Sequence, residues 1–213
     1  NAGRLWIGSN DKGISVCMNE RIVYTLGAEE GLPSNTVRAI VQGADNLYYV
    51  ASAGGMVIIT LEADTLRILT KLDEVGYASS LAADRNGNVA VVSADGTLRL
   101  IHDRKVLLQA QSSVSTEMFT CCAFDRNGVL YTGSSHNHIQ AFDLDIGNRE
   151  LLPKGQRECG ALSNAKRLCF TADKLFICAD NGIGYLDTRG DYYAINTGDF
   201  NNSIDSMVED YQG

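Results

Sequence analysis

One apolar register recurs at a nearly constant interval along the 213-residue chain. Each copy places two apolar or small residues three positions apart, and the intervals between copies are 41, 41, 46 and 39 residues. The copies begin at Val37, Ala78, Phe119, Ala165 and Ile204. A period of about forty residues, made of short apolar runs between Gly, Asp and Asn turns, is typical of four-stranded units stacked around a centre. The sequence therefore predicts an all-β protein, a β-propeller of five four-stranded repeats.

Each repeat divides into four predicted strands, labelled A to D in chain order. Turns such as Asp84–Gly87 and Asp125–Gly128 follow the A strands, because Asp, Asn and Gly tolerate the left-handed conformations that tight hairpins need. The B strands are rich in β-branched and aromatic residues, whereas the D strands are the most polar, as expected of outer edges. The A strands are expected near 36–41, 78–83, 118–124, 166–170 and 204–209.

The strand count raises the question of ring closure. From the N-terminus it gives B, C and D, then four complete sets, then a final A strand. In a closed five-bladed ring the strand at 204–209 would pair beside 5–8 and cover edges that otherwise invite association. The alternative is an open part of a larger propeller, cut at matching points. The closed ring is favoured, with residues 1–213 as a single domain.

The charge balance argues against some classes of partner. Eighteen basic and 26 acidic residues give a formal net charge of −8. Because binding to nucleic acid depends on neutralising phosphates with Lys and Arg, no nucleic-acid partner is expected. No apolar run approaches the roughly 20 residues that span a bilayer, so no membrane segment is predicted in this stretch of chain.

The six cysteines are expected to be free thiols. Five fall in predicted strands, where a thiol packs as a small hydrophobe, and Cys159 falls in a loop. No C-x-x-C motif occurs. A disulfide between Cys169 and Cys178 is the alternative. Free thiols mildly disfavour a strongly oxidising compartment.

Motifs for catalysis or metal binding are not found, so the chain is predicted not to be an enzyme and to use no cofactor or metal. His136 and His138 would lie on the same side of an extended segment, but a third ligand is not apparent. The acidic pairs Glu29–Glu30 and Asp73–Glu74 are interpreted as solvated turn charge rather than as the two carboxylates of a glycosidase. A propeller lyase or glycosidase is the less favoured alternative.

A ligand site is expected at one rim of the propeller, where the B-to-C and D-to-A loops converge. These loops offer amides, acids and aromatic rings, which would suit a sugar or a peptide. The competing interpretation of each residue is a structural role in a turn. The candidate binding residues are Asn10, Asp11, Asn35, Tyr77, His136, His138, Asp180, Asn181, Phe200 and Asn202.

Two stretches go beyond a generic repeat pattern. Residues 31–40 read GLPSNTVRAI and are followed by LYYVAS at 47–52, while residues 3–9 read GRLWIGS and are followed by Gly13 and Ile14. They resemble the two-component regulator propeller repeat, whose theme is GLPSN-x-V-x-x-I, then D-x-x-G-x-L-W-I-G-T, then G-L. The match is strong in the first repeat and a half and degenerate from residue 144 onward.

The resemblance implies a non-catalytic, ligand-sensing domain of a bacterial signal-transduction protein. It further implies a periplasmic or extracellular position on a membrane-bound parent that carries a signalling output domain, such as a histidine kinase. The implied ligand is a small molecule, a glycan fragment among the candidates, or a peptide. A protein–protein interaction scaffold is the alternative from another class.

Overall fold

The computed structural model describes residues 3–62, 65–198 and 203–207. Within those ranges the chain forms nineteen β-strands and one short 3-10 turn, Asp73–Val75, with no α-helix. The strands build five antiparallel sheets, and each sheet uses strands that are consecutive in the sequence. The predicted all-β, repeat-by-repeat organisation is confirmed. No helix in the described ranges is long and apolar enough to cross a membrane.

The first sheet has three strands and each of the other four has four. The first contains β1 (Arg4–Gly8), β2 (Ile14–Met18) and β3 (Arg21–Leu26). The second contains β4 (Val37–Gln42), β5 (Leu47–Ser52), β6 (Gly55–Glu62) and β7 (Thr65–Leu72). The third contains β8 (Ala78–Ala83), β9 (Val89–Ser93), β10 (Leu98–His102) and β11 (Lys105–Ala110). The fourth contains β12 (Phe119–Phe124), β13 (Leu130–Ser134), β14 (His138–Asp145) and β15 (Glu150–Glu158). The fifth contains β16 (Ala165–Phe170), β17 (Leu175–Ala179), β18 (Gly182–Leu186) and β19 (Tyr192–Ile195).

Four of the five predicted A strands are found, as β4, β8, β12 and β16, with ends within one residue of the predicted ones. The fifth prediction, 204–209, fails over its described part, because residues 203–207 have no ladder partner and are not a strand. Residues 208 and 209 lie outside the described residues. The first sheet thus has three strands in the described part of the chain rather than four. The D strand predicted near 149–152 is also too short, because β15 extends to Glu158.

The core lies between neighbouring sheets. Side chains of β5 alternate in direction, as the two-residue period of a strand requires. Tyr48 and Val50 pack toward the first sheet, while Tyr49 and Ala51 pack toward the third. Equivalent apolar layers lie between the third and fourth sheets and between the fourth and fifth. The second, third and fourth sheets are therefore covered on both faces, and the sheets stack face to face as propeller blades do.

The loops divide between two ends of the stack. The D-to-A loops and B-to-C loops are joined by backbone hydrogen bonds, in which Ala53 N donates to Thr36 O and Ala94 N donates to Tyr77 O, each at 2.9 Å. The predicted sharing of one rim by these loops is therefore observed. At the other end, Asp84 and Asp125 accept hydrogen bonds from backbone N–H groups of their own turns.

Candidate functional site

A cavity of about 470 Å³ is lined by the four A strands, called the inner strands from here on, and by Asp205 and Ser206. The inner strands are β4, β8, β12 and β16. Most of its wall consists of apolar or small side chains from these strands. Four charged residues interrupt that wall, namely Arg38, Lys166, Arg167 and Asp205. Polar atoms nevertheless form most of the surface of the cavity. A concave site with a few placed polar groups is the usual form of a small-molecule site.

A β-bulge occurs at the second residue of every complete inner strand. The ladder skips one residue between Val37 and Ala39, and the same irregularity recurs in β8, β12 and β16. A bulge leaves one residue unpaired and turns its side chain away from the regular alternation. The bulged residues are Arg38, Ser79, Thr120 and Lys166. All four lie where their strands begin, at the end of the cavity called here the mouth.

Arg38 and Ser79, two of the bulged residues, contact the next repeat along the chain. The Arg38 guanidinium lies over the Tyr77 ring, 5.0 Å from its centroid. Ser79 Oγ donates to Val92 O at 3.0 Å and lies 3.5 Å from Thr120 O. Residues at the mouth therefore take part in the contacts between one repeat and the next.

The strongest electrostatic cluster at the mouth is centred on Lys166. Its Nζ donates to Asp205 Oδ1 at 2.6 Å and to Ser203 Oγ at 2.9 Å, and it lies 2.9 Å from Asp180 Oδ1. The hydrogen bonds to Asp205 and Asp180 raise the pKa of Lys166 above its ordinary value. Hydrogen bonds from Asn164 and Lys166 lower the pKa of Asp180. Both groups remain charged over the neutral range, so the cluster is a fixed ion pair.

Of the predicted binding residues, Tyr77 and Asp180 reach the mouth, through Arg38 and Lys166 respectively. Both come from loops that the sequence assigned to this rim. The sequence did not identify Arg38, Lys166, Arg167 or Asp205. A signal for three of these was present, because Arg38, Lys166 and Asp205 all follow the first residue of the recurring register.

Three other predicted residues hold loops together. Asn35 Oδ1 accepts a hydrogen bond from Ala28 N at 2.6 Å. Asn10 O accepts one from Thr36 Oγ1 at 2.8 Å. Asn181 accepts one from Ser163 N and donates one to Ala161 O. The side-chain contacts of Asn35 and Asn181 correspond to the structural interpretation of turn amides, whereas Asn10 contributes only its backbone carbonyl.

The two histidines are in different surroundings. His136 is exposed, and its backbone N donates to Ser134 Oγ. His138 Nδ1 lies 3.3 Å from Oε1 of Glu117, whose side chain is fully buried. Burial raises the pKa of Glu117, but hydrogen bonds from Ser134, Ser112 and His138 bring it below its ordinary value. The described residues contain no group of three His, Cys, Asp or Glu side chains suited to hold a metal ion.

The structure describes only one of the three remaining predicted residues. Asp11 is exposed in the β1–β2 loop. Phe200 and Asn202 lie outside the described residues. Comparison of the sequence with protein-family models and with curated proteins gives no match. The function therefore has to be argued from the geometry of the chain itself.

Proposed function

We propose that this chain is a non-catalytic, ligand-binding domain of a bacterial signal-transduction protein, with its ligand at the mouth of the central cavity. The observation that supports this is the set of bulged residues. Arg38, Ser79 and Lys166 line the cavity and also contact the following repeat. A ligand that contacts these groups acts directly on the packing between sheets.

Signalling then follows from differential affinity. A ligand shifts an equilibrium between two arrangements only if it binds one of them more tightly. Contacts such as Arg38 over Tyr77 and Lys166 with Asp205 are made between repeats, so they change when neighbouring sheets shift. A ligand that replaces or reinforces them favours one arrangement of the sheets.

A carbohydrate is the proposed ligand, and a peptide is the alternative. Tyr77 is 39% exposed, and the Arg38 guanidinium lies over one face of its ring. Sugars present both apolar ring faces and hydroxyl groups, so they use an aromatic surface with polar groups at its edge. Asp180, Asn164 and Lys166 supply such groups on the other side of the mouth.

We also propose that the five sheets close into a ring. Ile204 N donates to Ala179 O at 3.1 Å, and Val37 N donates to Ser9 O at 2.8 Å. Ser9 and Ala179 occupy the same position in their repeats, four residues after Leu5 and Leu175. Segment 203–207 thus docks on the fifth sheet as the start of β4 docks on the first. It lies where a fifth inner strand is expected. Among the described residues β1 has no partner strand on its inner side, and this segment would supply that strand.

The scaffold function is favoured by one different observation. In the described residues β1 pairs only with β2, and its Leu5 and Ile7 are 61% and 41% exposed. An unpaired edge with apolar side chains can bind a strand of another protein. Hydrogen exchange separates the two proposals for β1. Ser9 N donates to Gly13 O, so by the alternation of an antiparallel ladder the amides of Trp6 and Gly8 point away from β2. Protection of these two amides in the isolated chain supports ring closure, whereas their rapid exchange supports an open edge.

The proposed position of the protein in the cell rests on the resemblance to the two-component regulator propeller repeat. The proposal places the chain on the periplasmic or extracellular side of a membrane-bound parent with a signalling output domain. The parent gene tests this directly. A transmembrane segment and an output domain encoded beyond this stretch support the sensor, and an isolated gene argues against it.

Ligand binding is tested with a panel of neutral oligosaccharides and peptides, scored by thermal shift and then by calorimetry. The proposal expects at least one sugar to raise the melting temperature, and Arg38→Ala or Tyr77→Ala to abolish the shift. Tyr193→Ala is the matched control, because Tyr193 is similarly exposed at 41% but lies on outer strand β19. No stabilisation by any sugar contradicts the carbohydrate assignment. Turnover of a glycan contradicts the non-catalytic one.

A further inference from the structure

A second cleft, of about 490 Å³, lies between the fourth and fifth sheets at the end opposite the mouth. Three hairpin turns border it, and they begin at Asp125, Thr171 and Asp187. Strand β15 forms its outer wall through Lys154, Gly155 and Arg157. None of these residues was predicted to bind a ligand.

The extra length of the fourth repeat builds this wall. The register interval there is 46 residues against 39 to 41 elsewhere. Strand β15 has nine residues, and nearly all of them are exposed. A bulge at Lys154 interrupts its pairing with β14, where Phe142 pairs with Pro153 and Ala141 pairs with Gly155.

Five cationic side chains surround the cleft although the whole chain is acidic. Lys154 pairs with Asp143 at 3.0 Å, Arg189 lies 3.5 Å from Asp187 and from Asp191, and Lys174 lies over the Tyr185 ring. The other two cations are Arg126 and Arg157. No carboxylate of the described residues lies within ion-pair distance of either.

Three carboxylates line the cleft, those of Asp125, Asp173 and Asp187, and two of them are occupied by their own turns. Asp125 Oδ1 accepts hydrogen bonds from Asn127 N and Val129 N, and Asp187 Oδ1 accepts them from the N–H groups of Arg189 and Asp191. Their role is to hold the turns in shape. Most guanidinium N–H groups of Arg126 and Arg157 are therefore available to donate to a bound ligand.

Arg157 reaches across the cleft from the fourth sheet to the fifth. A Cβ atom built on Gly190 would lie 2.6 Å from Nε of Arg157, so only glycine lets the guanidinium approach this turn. Gly190 also has a φ of +82°, which glycine adopts without strain. One guanidinium N–H donates to Gln156 O at 3.0 Å.

Beneath the cations lies an apolar floor. The rings of Tyr131 and Phe170 meet edge to face, with centroids 5.0 Å apart. Ile139, Leu175 and Leu186 are buried under them. Burial raises the pKa of Tyr131, so its hydroxyl stays protonated in the neutral range and can donate a hydrogen bond.

We propose that this cleft binds a small organic anion, a carboxylate attached to a ring. Arg157 and Arg126 bind the carboxylate, for which the planar guanidinium fork is suited, and the Tyr131–Phe170 pair contacts the ring. The assignment goes beyond the proposed function, because it uses other residues at the other end of the sheets.

The test uses the full chain with two acids of different origin, benzoate and glucuronate, and their neutral counterparts, benzamide and glucose. Binding is measured by calorimetry, and its position by shifts of the Gly155 and Gly190 amide signals in ¹⁵N spectra. Arg157→Gln and Arg126→Gln are each expected to weaken acid binding about tenfold or more. Arg85→Gln is the matched control, since Arg85 occupies the same Asp-Arg-Asn-Gly turn one repeat earlier, outside the cleft.

The proposal is supported if at least one acid binds more strongly than its neutral counterpart. This binding must also weaken in Arg157→Gln and Arg126→Gln but not in Arg85→Gln. The preferred acid then tells whether the ring is aromatic or a sugar. Equal binding of acid and neutral compound, no binding of either acid, or an equal loss in Arg85→Gln overturns it. Arg38→Ala leaves acid binding unchanged, so this result is independent of the fate of the mouth.

Discussion

Lys166 Nζ and Asp205 Oδ1 lie 2.6 Å apart and connect the last inner strand, β16, to segment 203–207. Lys166 also contacts Asp180 of the β17–β18 loop, so one cation holds two acidic residues from different parts of the chain. These ion pairs help to hold segment 203–207 on the fifth sheet, and single substitutions can remove them.

Replacing Lys166 by Met is expected to loosen segment 203–207. The Ile204 amide, which donates to Ala179 O, should exchange several-fold faster with solvent than in the wild type. Lys174→Met is the control, because Lys174 has an aromatic partner and, among the described residues, no carboxylate within ion-pair distance. Equal protection of Ile204 in all three proteins contradicts a role for the ion pair.

The same pair predicts a pH dependence on the alkaline side. The pKa of Lys166 is raised above 10.5 in the folded state, so its contribution is complete below that pH and is lost as the pH rises through the folded value. The melting temperature of Lys166→Met should therefore lie below that of the wild type near neutrality. The difference should shrink as the pH rises beyond 10.5 and through the folded pKa of Lys166. A difference that stays constant contradicts this sign.

Glu117 supplies an acid-side prediction. Its buried carboxylate accepts a hydrogen bond from Ser112 Oγ at 3.1 Å and contacts His138. Glu117→Gln places an amide against these partners and should lower the free energy of unfolding by about 1–3 kcal/mol at neutral pH. Because the pKa of Glu117 lies below 4.5, its contribution is present above that pH and is lost as the pH falls through the folded value.

Urea unfolding at neutral and acidic pH measures this effect. The difference between wild type and Glu117→Gln should narrow on acidification. Glu150→Gln, at an exposed position of β15, should match the wild type at both values. An unchanged difference at low pH would show that the loss comes from packing alone.

The six cysteines are free in the structure, as predicted from the sequence, and their thiols differ in exposure to solvent. Burial raises the pKa of the Cys121 and Cys122 thiols to about 12. Since the thiolate is the reactive form, neither should react with a thiol reagent until the protein unfolds. Cys17 and Cys169 are only partly buried and should be modified first. Mass spectrometry of labelled peptides gives the order, and early modification of Cys121 contradicts it.

At Gly133, strand β13 lies close to Ala165 of the fifth sheet. A Cβ atom there would lie 2.6 Å from Cys121 Sγ and 2.7 Å from Ala165 Cβ. Gly133→Ala should therefore cost about 1–3 kcal/mol of stability through overpacking. Gly147→Ala, in an exposed turn whose nearest atom is 3.6 Å away, should change it by less than about 0.5 kcal/mol. Equal stability of both variants would show that the two sheets can separate at little cost.

Most of the fold could be predicted because the inter-sheet cores repeat. Val37, Ala78, Phe119 and Ala165 recur since each begins an inner strand that packs against the same kind of neighbour. The length of β15 could not be predicted, because its exposed residues carry no alternation of apolar and polar side chains.

The candidate site was predictable only in part. Tyr77 and Asp180 were placed at the correct rim by loop type alone. Arg38 and Lys166 were missed because a bulge redirects their side chains, and a single sequence does not show where a ladder skips a residue. Arg126 and Arg157 were missed since they lie about 30 residues apart, in the β12–β13 turn and in β15, and they line one cleft only once the fourth sheet has formed and packed against the fifth.

The equivalence of the Val37–Ser9 and Ile204–Ala179 bonds has a consequence for how such chains change during evolution. The first sheet accepts the inner strand of the second by the same backbone bond with which the fifth sheet accepts segment 203–207. The acceptor is a backbone carbonyl, so it does not depend on which side chain is present. A gene duplication or deletion of one whole repeat therefore joins surfaces that already fit, and blade number can change without a new interface having to arise.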